Sequence, residues 1–311
     1  MNIKHAPILE RAGIEGSYVS SSLSWAQLQR GTFDIAYSVL EEPLLRVAWR
    51  LYNVAFQAEA KIEPNRSVVA VLADQRTRAR WFGADLGSDM IAAGRDCIDV
   101  RTDGPSAFFS VTIDQSALHR EFPASPDADA LTHDLPRFSI ARDPIQAAHI
   151  RGVTRLLFSR PSVAQRMASG TLIPLLADAL GNYGGCAVER TKCLNRRFTA
   201  VRACEAYMRD HVDATVTLLD LTTVCGMRAR SLINAFEAVT GFSPMDYLKR
   251  LRLNGVRRAL GRPARAHTRV IDVATAWGFW HMGHFANDYR AMFGETPSQT
   301  LLNSQRQFAL G

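Results

Sequence analysis

The chain has 311 residues, 47% hydrophobic and 22% charged, with 37 Lys+Arg against 30 Asp+Glu for a formal net charge of +7. That length suits two domains, each large enough to bury its own core, and no run of the sequence approaches the roughly 20 apolar residues of a membrane-spanning helix. The segment Met1-Asn-Ile-Lys-His-Ala-Pro-Ile8 lacks the apolar core of a signal peptide, so a cytoplasmic protein without a membrane partner is expected.

Residues 1 to about 140 read as β-rich. Val47, Trp49 and Leu51 alternate with Arg46, Ala48 and Arg50, the period-2 pattern of a half-buried strand. Ser67 to Leu72 and Phe108 to Ile113 are further strand candidates, and Pro64-Asn65, Gly83, Gly87, Gly104-Pro105 and Pro123 punctuate between them. Short strands with turns at such intervals predict a sandwich or barrel. Trp25, Trp49, Tyr52, Trp81 and Phe109 either line an apolar pocket in it or form plain core. No residue is assigned to an effector.

From Pro144 to Ser159, the residues Ile145, Ala148, His149, Gly152, Leu156 and Leu157 predict an amphipathic helix. A second helix is expected from Val163 to Leu180, broken or kinked near Gly170 to Pro174. The glycine cluster Gly181-Asn-Tyr-Gly-Gly185 then marks a linker. The domain organisation read here is 1–180, a linker over 181–197, and a final domain over 198–311.

Enzyme chemistry finds little foothold. His5, His119, His133 and His149 are scattered, without the clustered ligands that a metal-dependent oxygenase needs. No Gly-rich phosphate loop or nucleophile elbow occurs. The five cysteines (Cys97, Cys186, Cys193, Cys204, Cys225) form no CxxC pair and read as reduced thiols. Cys186 and Cys193 bracket the linker, open to an oxidant-sensing role or to none. No catalytic residue, metal or cofactor is expected.

The last third carries a repeat. Asp220 to Asp272 and Gly226 to Gly278 are steps of 52, while Leu232 to Phe285, Phe236 to Tyr289, Gly241 to Gly294 and Pro244 to Pro297 are steps of 53. One residue inserted after the turn accounts for the difference. In each copy a short apolar helix stops at a glycine suited to positive φ. A second helix follows with one apolar face: Leu232, Phe236 and Val239 in copy one, Phe285, Tyr289, Met292 and Phe293 in copy two. Gly241 and Gly294 end these helices, and Ser243-Pro244 and Thr296-Pro297 start the next. Each copy is a helix-turn-helix, whose second helix lies in the major groove of DNA.

Charge supports that reading. From Cys186 to Gly311 there are 18 Lys+Arg and 10 Asp+Glu, a net of +8, which leaves −1 for the rest. The positive excess sits on the repeat-bearing part, as expected of a part that meets phosphates.

Through Gly278-Phe279, His284-Phe285, Phe293-Gly294 and Pro297, the segment from about Phe198 to Leu302 resembles the DNA-binding domain of the AraC/XylS family of bacterial transcription regulators. It departs from the family pattern at Thr222 (usually alanine), at Arg228, and at Trp280, read as the second copy's cap. The amino-terminal half is similar, more loosely, to the family's jelly-roll (cupin-like) sensing domain. The resemblance implies an α+β chain, with a β-rich domain followed by helices and then an all-α double helix-turn-helix domain. It also implies double-stranded promoter DNA as partner, a small-molecule effector, dimer contacts through the helices after the β-domain, RNA polymerase if the protein activates, and a place at the nucleoid. The rival reading is an architectural DNA-binding protein whose front domain only oligomerises.

The buried stripes fix the outward faces, which by resemblance carry the base contacts. These are Ala229, Arg230, Ile233 and Asn234 in copy one, and His281, Met282, Gly283, Asn287 and Arg290 in copy two. Arginine bridges guanine O6 and N7, asparagine bridges adenine N6 and N7, and Met282 suits a thymine methyl. Lys249, Arg250, Arg257 and Arg258 on the helix between the copies are phosphate candidates. Arg252 is left open between an internal pairing and a DNA contact.

Overall fold

The computed structural model describes residues 4–7, 20–95, 97–117, 138–159, 170–179, 188–262 and 268–309. Two compact units emerge: Met1–Trp25 with Asp34–Lys192, and Ala26–Phe33 with Cys193–Gly311.

The first unit is built from two sheets. In the seven-stranded sheet, β1 (Lys4–Pro7), β3 (Asp34–Glu42), β4 (Leu45–Tyr52), β11 (Ser106–Asp114), β6 (Arg66–Leu72), β9 (Met90–Gly94) and β12 (Phe138–Arg142) lie side by side in that order. The five-stranded sheet runs β2 (Ser20–Gln27), β5 (Phe56–Ile62), β10 (Cys97–Thr102), β7 (Ala79–Trp81) and β8 (Ala84–Leu86). Strands distant in the chain are neighbours, as β11 is to both β4 and β6. This is the double-sheet plan of a jelly-roll. The three strands expected from alternation are β4, β6 and β11. Pro64-Asn65 makes the turn between β5 and β6, with Arg66 N donating to Glu63 O (3.2 Å) and Asn65 at φ 64°, a left-handed position that asparagine tolerates.

The seven-stranded sheet is covered on both faces. Leu45, Val47, Val69, Val71, Phe109 and Val111 point to one side, where they pack on α1 (Pro144–Ser159) and on a helix over 170–179, α2. The face of α1 differs from the expected one. Ala147, Ile150, Thr154, Leu157 and Phe158 are buried against the sheet. Of the stripe read as apolar, Leu157 is among these buried residues, but Ile145, Ala148, His149, Gly152 and Leu156 are exposed, with Ile145 at 69% and Leu156 at 58%. Both stripes have helical spacing, and the sheet takes the one with the larger aromatic payload. Of the helix expected over Val163 to Leu180, residues 170–179 are helical, so the chain stays helical between Gly170 and Pro174. There Pro174 is exposed while Leu172, Ile173, Leu176 and Ala177 are buried, so burial of that face outweighs the hydrogen bond that proline lacks. Residues 163–169 and the glycine cluster 181–185 lie outside the described residues.

The second unit is helical. α3 (Val188–Asp210), α4 (Leu218–Cys225), α5 (Ala229–Thr240), α6 (Pro244–Leu260), α7 (Val270–Ala276), α8 (Met282–Phe293) and α9 (Pro297–Ala309) follow in order. Two separate apolar cores form around α6. Tyr247 and Leu248 pack with Leu221, Leu232 and Phe236, whereas Leu253, Val256 and Leu260 pack with Ala274, Phe285 and Tyr289. Burial pushes the Tyr289 phenol upward from its ordinary pKa, and its hydroxyl is shared with Thr300 Oγ1 at 2.8 Å. Gly255 sits where α6 meets the end of α7. A Cβ there would lie 2.0 Å from the Trp277 ring, so glycine is required by close approach.

The stretch Ala26–Phe33 belongs to this second unit although it joins β2 to β3. The Asn254 side chain pairs with the backbone of Gln27, accepting from its N–H at 2.9 Å and donating to its carbonyl at 3.0 Å. Gln27 Nε2 donates to the Met292 carbonyl at 3.1 Å, and Gly31 N to the same oxygen at 3.0 Å. The last carbonyls of a helix have no partner within it, and here the segment supplies them at the end of α8. Nothing in the local sequence marks Gln27 for this role, because its partners lie 227 and 265 residues away.

Candidate nucleic-acid interface

Copy one is α4, its turn and α5. Thr217 Oγ1 accepts from Asp220 N at 3.3 Å, and the Asp220 carboxylate accepts from Thr217 N at 2.8 Å, a reciprocal cap. The bond from Thr217 N foremost, and then one from Thr217 Oγ1 at 2.7 Å, hold the Asp220 carboxyl below its ordinary pKa. The turn glycine, Gly226, takes φ 65°. Arg228 is the N-cap of α5 and offers no side-chain cap. Leu232, Ala235, Phe236 and Val239 are buried. Ala229, Arg230 and Asn234 are exposed and Ile233 is half-buried.

Copy two is α7, its turn and α8. Arg269 forks onto Asp272, with bonds of 2.8 and 2.7 Å, and no side chain caps α7. Gly278 takes φ 75°. The N-cap of α8 is His281, not Trp280. The inserted residue lengthens the second turn, so the cap follows the glycine by three residues instead of two. Trp280 is instead 67% exposed. Phe285, Tyr289, Met292 and Phe293 are buried. His281, Gly283, Asn287 and Arg290 are exposed, and Met282 is half-buried against the core.

With the step of 53, Asn234 and Asn287 occupy the same position in their helices, and both are exposed. Arg230 is matched by Gly283, and Arg290 by Glu237. The two outward faces share an asparagine and differ elsewhere.

The four phosphate candidates on α6 separate into two kinds. Lys249 and Arg258 are exposed, and Lys249 Nζ stands 2.6 Å from the Asp288 carboxylate of α8. Arg257 is only 6% exposed. Its guanidinium donates to Glu295 at 3.0 Å and to Gln27 Oε1 at 3.2 Å, 4.6 Å from the centre of the Phe293 ring. Arg250 is half-buried, 4.0 Å from the centre of the Phe242 ring, and burial holds its guanidinium below the ordinary pKa. Arg257 is thus an interior residue and Arg250 a partly covered one, and each would meet a phosphate only by leaving these contacts. Arg252 Nη2 donates to the Ala214 carbonyl at 2.5 Å, an internal bond. Cys204 is likewise internal: burial, and then Cys225 beside it, pushes its thiol up to about 12.

Between its sheets the first unit has a partly open pocket of about 50 Å³. Of the aromatics weighed for a pocket, Tyr52 and Trp81 line it, with Phe56 and Phe108 beside them. Trp49 and Phe109 face the helices instead. Arg50, only 6% exposed, is also on the wall and donates to Ser110 Oγ at 2.7 Å. Sequence reasoning missed Arg50, because an arginine opposite an apolar stripe reads as solvent-facing when the other face of the sheet is unseen.

A family model described as a helix-turn-helix domain matches residues 221–303. The chain is 38% identical over 95 residues, 30% of its length, to the XylDLEGF operon transcriptional activator 2 of Pseudomonas putida, of which it covers 60%. It is 32% identical over 141 residues, 45% of its length, to a probable thc operon regulatory protein of Rhodococcus erythropolis, of which it covers 42%. Its likeness to the solved structure of a probable AraC family transcriptional regulator from Rhodopseudomonas palustris has 40% identity and a TM-score of 0.32, covering 34% of this chain and 97% of that one.

Proposed function

From a chain that belongs, by its carboxy-terminal unit, to the AraC/XylS family of helix-turn-helix regulators, we infer a sequence-specific DNA-binding transcription regulator that answers to a small molecule through its amino-terminal unit. The observation that carries this is the pair of second helices, α5 and α8. Each buries one stripe and turns the equivalent asparagine, Asn234 or Asn287, to solvent.

In this reading α5 presents Ala229, Arg230, Ile233 and Asn234 to base edges. α8 presents His281, Met282, Gly283, Asn287 and Arg290, with Gly283 allowing close approach. Lys249 and Arg258 meet phosphates. The helix α6 joins the two cores and sets the separation of the readers at about one helical turn of DNA, roughly 34 Å. The exposed stripe of Ile145, Ala148, Gly152 and Leu156 on α1 supports a homodimer, because small and apolar side chains at helical spacing suit packing against a second helix. The similarity to operon transcriptional activators favours activation, with RNA polymerase as the further partner. The pocket between the sheets receives the effector. Action at promoter DNA places the protein at the nucleoid.

The test is binding of the purified protein to its own upstream DNA against scrambled DNA of equal length, at about 150 mM salt. A preference of about 10³-fold or more is expected. Arg230→Ala should then cost about 1–3 kcal/mol at one base pair. Equal affinity for both DNAs, with a steep salt dependence, would sink sequence-specific reading and favour the architectural rival.

A further inference from the structure

The apolar core of copy one holds two thiols that packing brings together, whereas the core of copy two holds none. On α3 the buried stripe is Val201, Cys204 and Met208, and on α4 Leu221 and Cys225 lie one turn apart. Both stripes enter the same core, with Cys204 fully buried and Cys225 half-buried at its rim. Cys204 Sγ donates to the Leu221 carbonyl at 3.4 Å, and Cys225 Sγ lies 3.9 Å from the carbonyl of the next residue, Thr222. Beside these carbonyls the two thiols are in hydrogen-bond contact. Cys225 is also the last residue of α4, and Gly226 after it, at φ 65°, sets the turn into α5. A Cβ on Gly226 would meet nothing within 4 Å, so this turn has room to shift. In copy two the step of 52 puts Trp277 where copy one has Cys225.

We propose that Cys204 and Cys225 are joined in a reversible disulfide by a hydroperoxide, ROOH, and that this bond weakens the hold of copy one on DNA. The disulfide stands on the thiol geometry, and its effect rests on the DNA-binding role given above. Solvent reaches Cys225 and not Cys204, which fixes the order of events. The Cys225 sulfur attacks the peroxide, an S–O bond forms and the O–O bond breaks. Cys225 is oxidised to a sulfenic acid, and the peroxide is reduced to the alcohol ROH, which takes the thiol proton. The Cys204 sulfur then attacks the Cys225 sulfur. The S–S bond forms, the S–O bond breaks, and hydroxide leaves with the Cys204 proton as water. Two thiols and one hydroperoxide thus give one disulfide, one alcohol and one water. Burial keeps the proton on Cys204, whose thiol stands at about 12, so Cys204 serves only as the second, resolving thiol. The disulfide is as uncharged as the thiols it replaces, so the core takes it without burying a charge. Its sulfurs come to about 2.05 Å. That draws the end of α4 toward α3 and shifts the turn at Gly226, and with it the start of α5 and Arg230.

The test treats the reduced full chain with tert-butyl hydroperoxide, blocks the remaining thiols with iodoacetamide, and maps the peptides by mass spectrometry without reduction. The cross-linked pair should be Cys204 with Cys225, lighter by two hydrogens, and dithiothreitol should reverse it. Oxidised protein should bind its upstream DNA about tenfold more weakly than reduced protein, with the affinity restored by dithiothreitol. Cys225→Ser should bind DNA like the reduced protein and lose the response to peroxide. Cys204→Ala, which removes the resolving thiol, should stop at a sulfenic or sulfinic acid on Cys225. If Cys204→Ala fails to fold, Cys225→Ser at its half-buried site carries the test. No disulfide, a disulfide through Cys97, Cys186 or Cys193 instead, or a peroxide response that survives Cys225→Ser would overturn the proposal. The DNA-binding role is judged separately. A Cys204–Cys225 disulfide that leaves a strong preference for upstream DNA unchanged would reject the switch. Reduced protein with no such preference would reject the role and leave the thiol chemistry to the peptide map.

Discussion

Gly226 and Gly278 hold the same place in the two helix-turn-helix units and take the same left-handed backbone, φ 65° and 75°. A Cβ at Gly226 would meet nothing within 4 Å, whereas one at Gly278 would lie 2.7 Å from the Val212 carbonyl and 2.9 Å from the Arg252 guanidinium carbon. The first copy asks its glycine only for a backbone angle. The second asks for the angle and for space, because its turn is packed against the rest of the unit. The same contrast recurs elsewhere. Copy two is pinned to α6 through Trp277 on Gly255 and is finished at the end of α8 by Gln27 and Gly31. Copy one closes on its own capping pair, Thr217 and Asp220. Repeated local sequence thus gives the same local fold with different dependence on distant residues.

The largest effect should come from the turn glycines. A non-glycine residue in the left-handed region costs about 1–2 kcal/mol, and overpacking adds about 1–3. Gly226→Ala is expected to cost about 1 kcal/mol and Gly278→Ala about 2–4, measured by chemical denaturation of the full chain. Equal costs would show that the Val212 and Arg252 neighbours yield freely, and the contrast between the copies would fail.

Next in size is Gly255→Ala. Alanine favours a helix by about 1 kcal/mol over glycine, yet the Trp277 ring 2.0 Å from the added Cβ should reverse the sign, for a net loss of about 1–3 kcal/mol. Hydrogen exchange should show faster opening in α7 and α8 with α4 and α5 little changed. A stabilised variant would mean that the ring swings aside without cost.

The smallest effect is a dependence on pH. Asp220 and Asp272 are both held below the ordinary carboxylate pKa, the first by hydrogen bonds from Thr217 and the second by Arg269. A carboxyl depressed by folding adds stability that is present above its unfolded value, about pH 4. That stability is lost as pH falls through the lower folded value. Thr217→Ala and Arg269→Ala should each flatten the acid side of the melting-temperature profile by a similar small amount. A flattening seen with only one of them would identify which copy unfolds first in acid.

Much of this architecture was legible. The repeat itself, the positive-φ glycines, the proline exits and the buried stripes were all local signals, and local signals survive folding. What escaped has a common cause. Arg257 looked like a phosphate contact because its partners, Glu295, Phe293 and Gln27, come from two distant stretches of chain. Arg50 looked solvent-facing because alternation on β4 reports which residues share a face and not what covers it. On α1 two stripes had helical spacing, and only the sheet beneath decided between them. The cap at His281 was misplaced by one position because the inserted residue was counted into the helix instead of the turn.

The segment Ala26–Phe33 has a consequence for how the molecule is made. During synthesis Gln27 leaves the ribosome 227 residues ahead of Asn254, an interval of roughly 10–45 seconds at about 5–20 residues per second. Until then the side-chain amide of Gln27 can reach only its local acceptors, the carbonyls of Gln29 and Gly31, while Asn254 and Met292 are still unmade. The helical unit is therefore completed by a piece of chain made well before the rest of it. A product of internal initiation that starts beyond Phe33 would carry every helix of that unit and still lack the residues that close it.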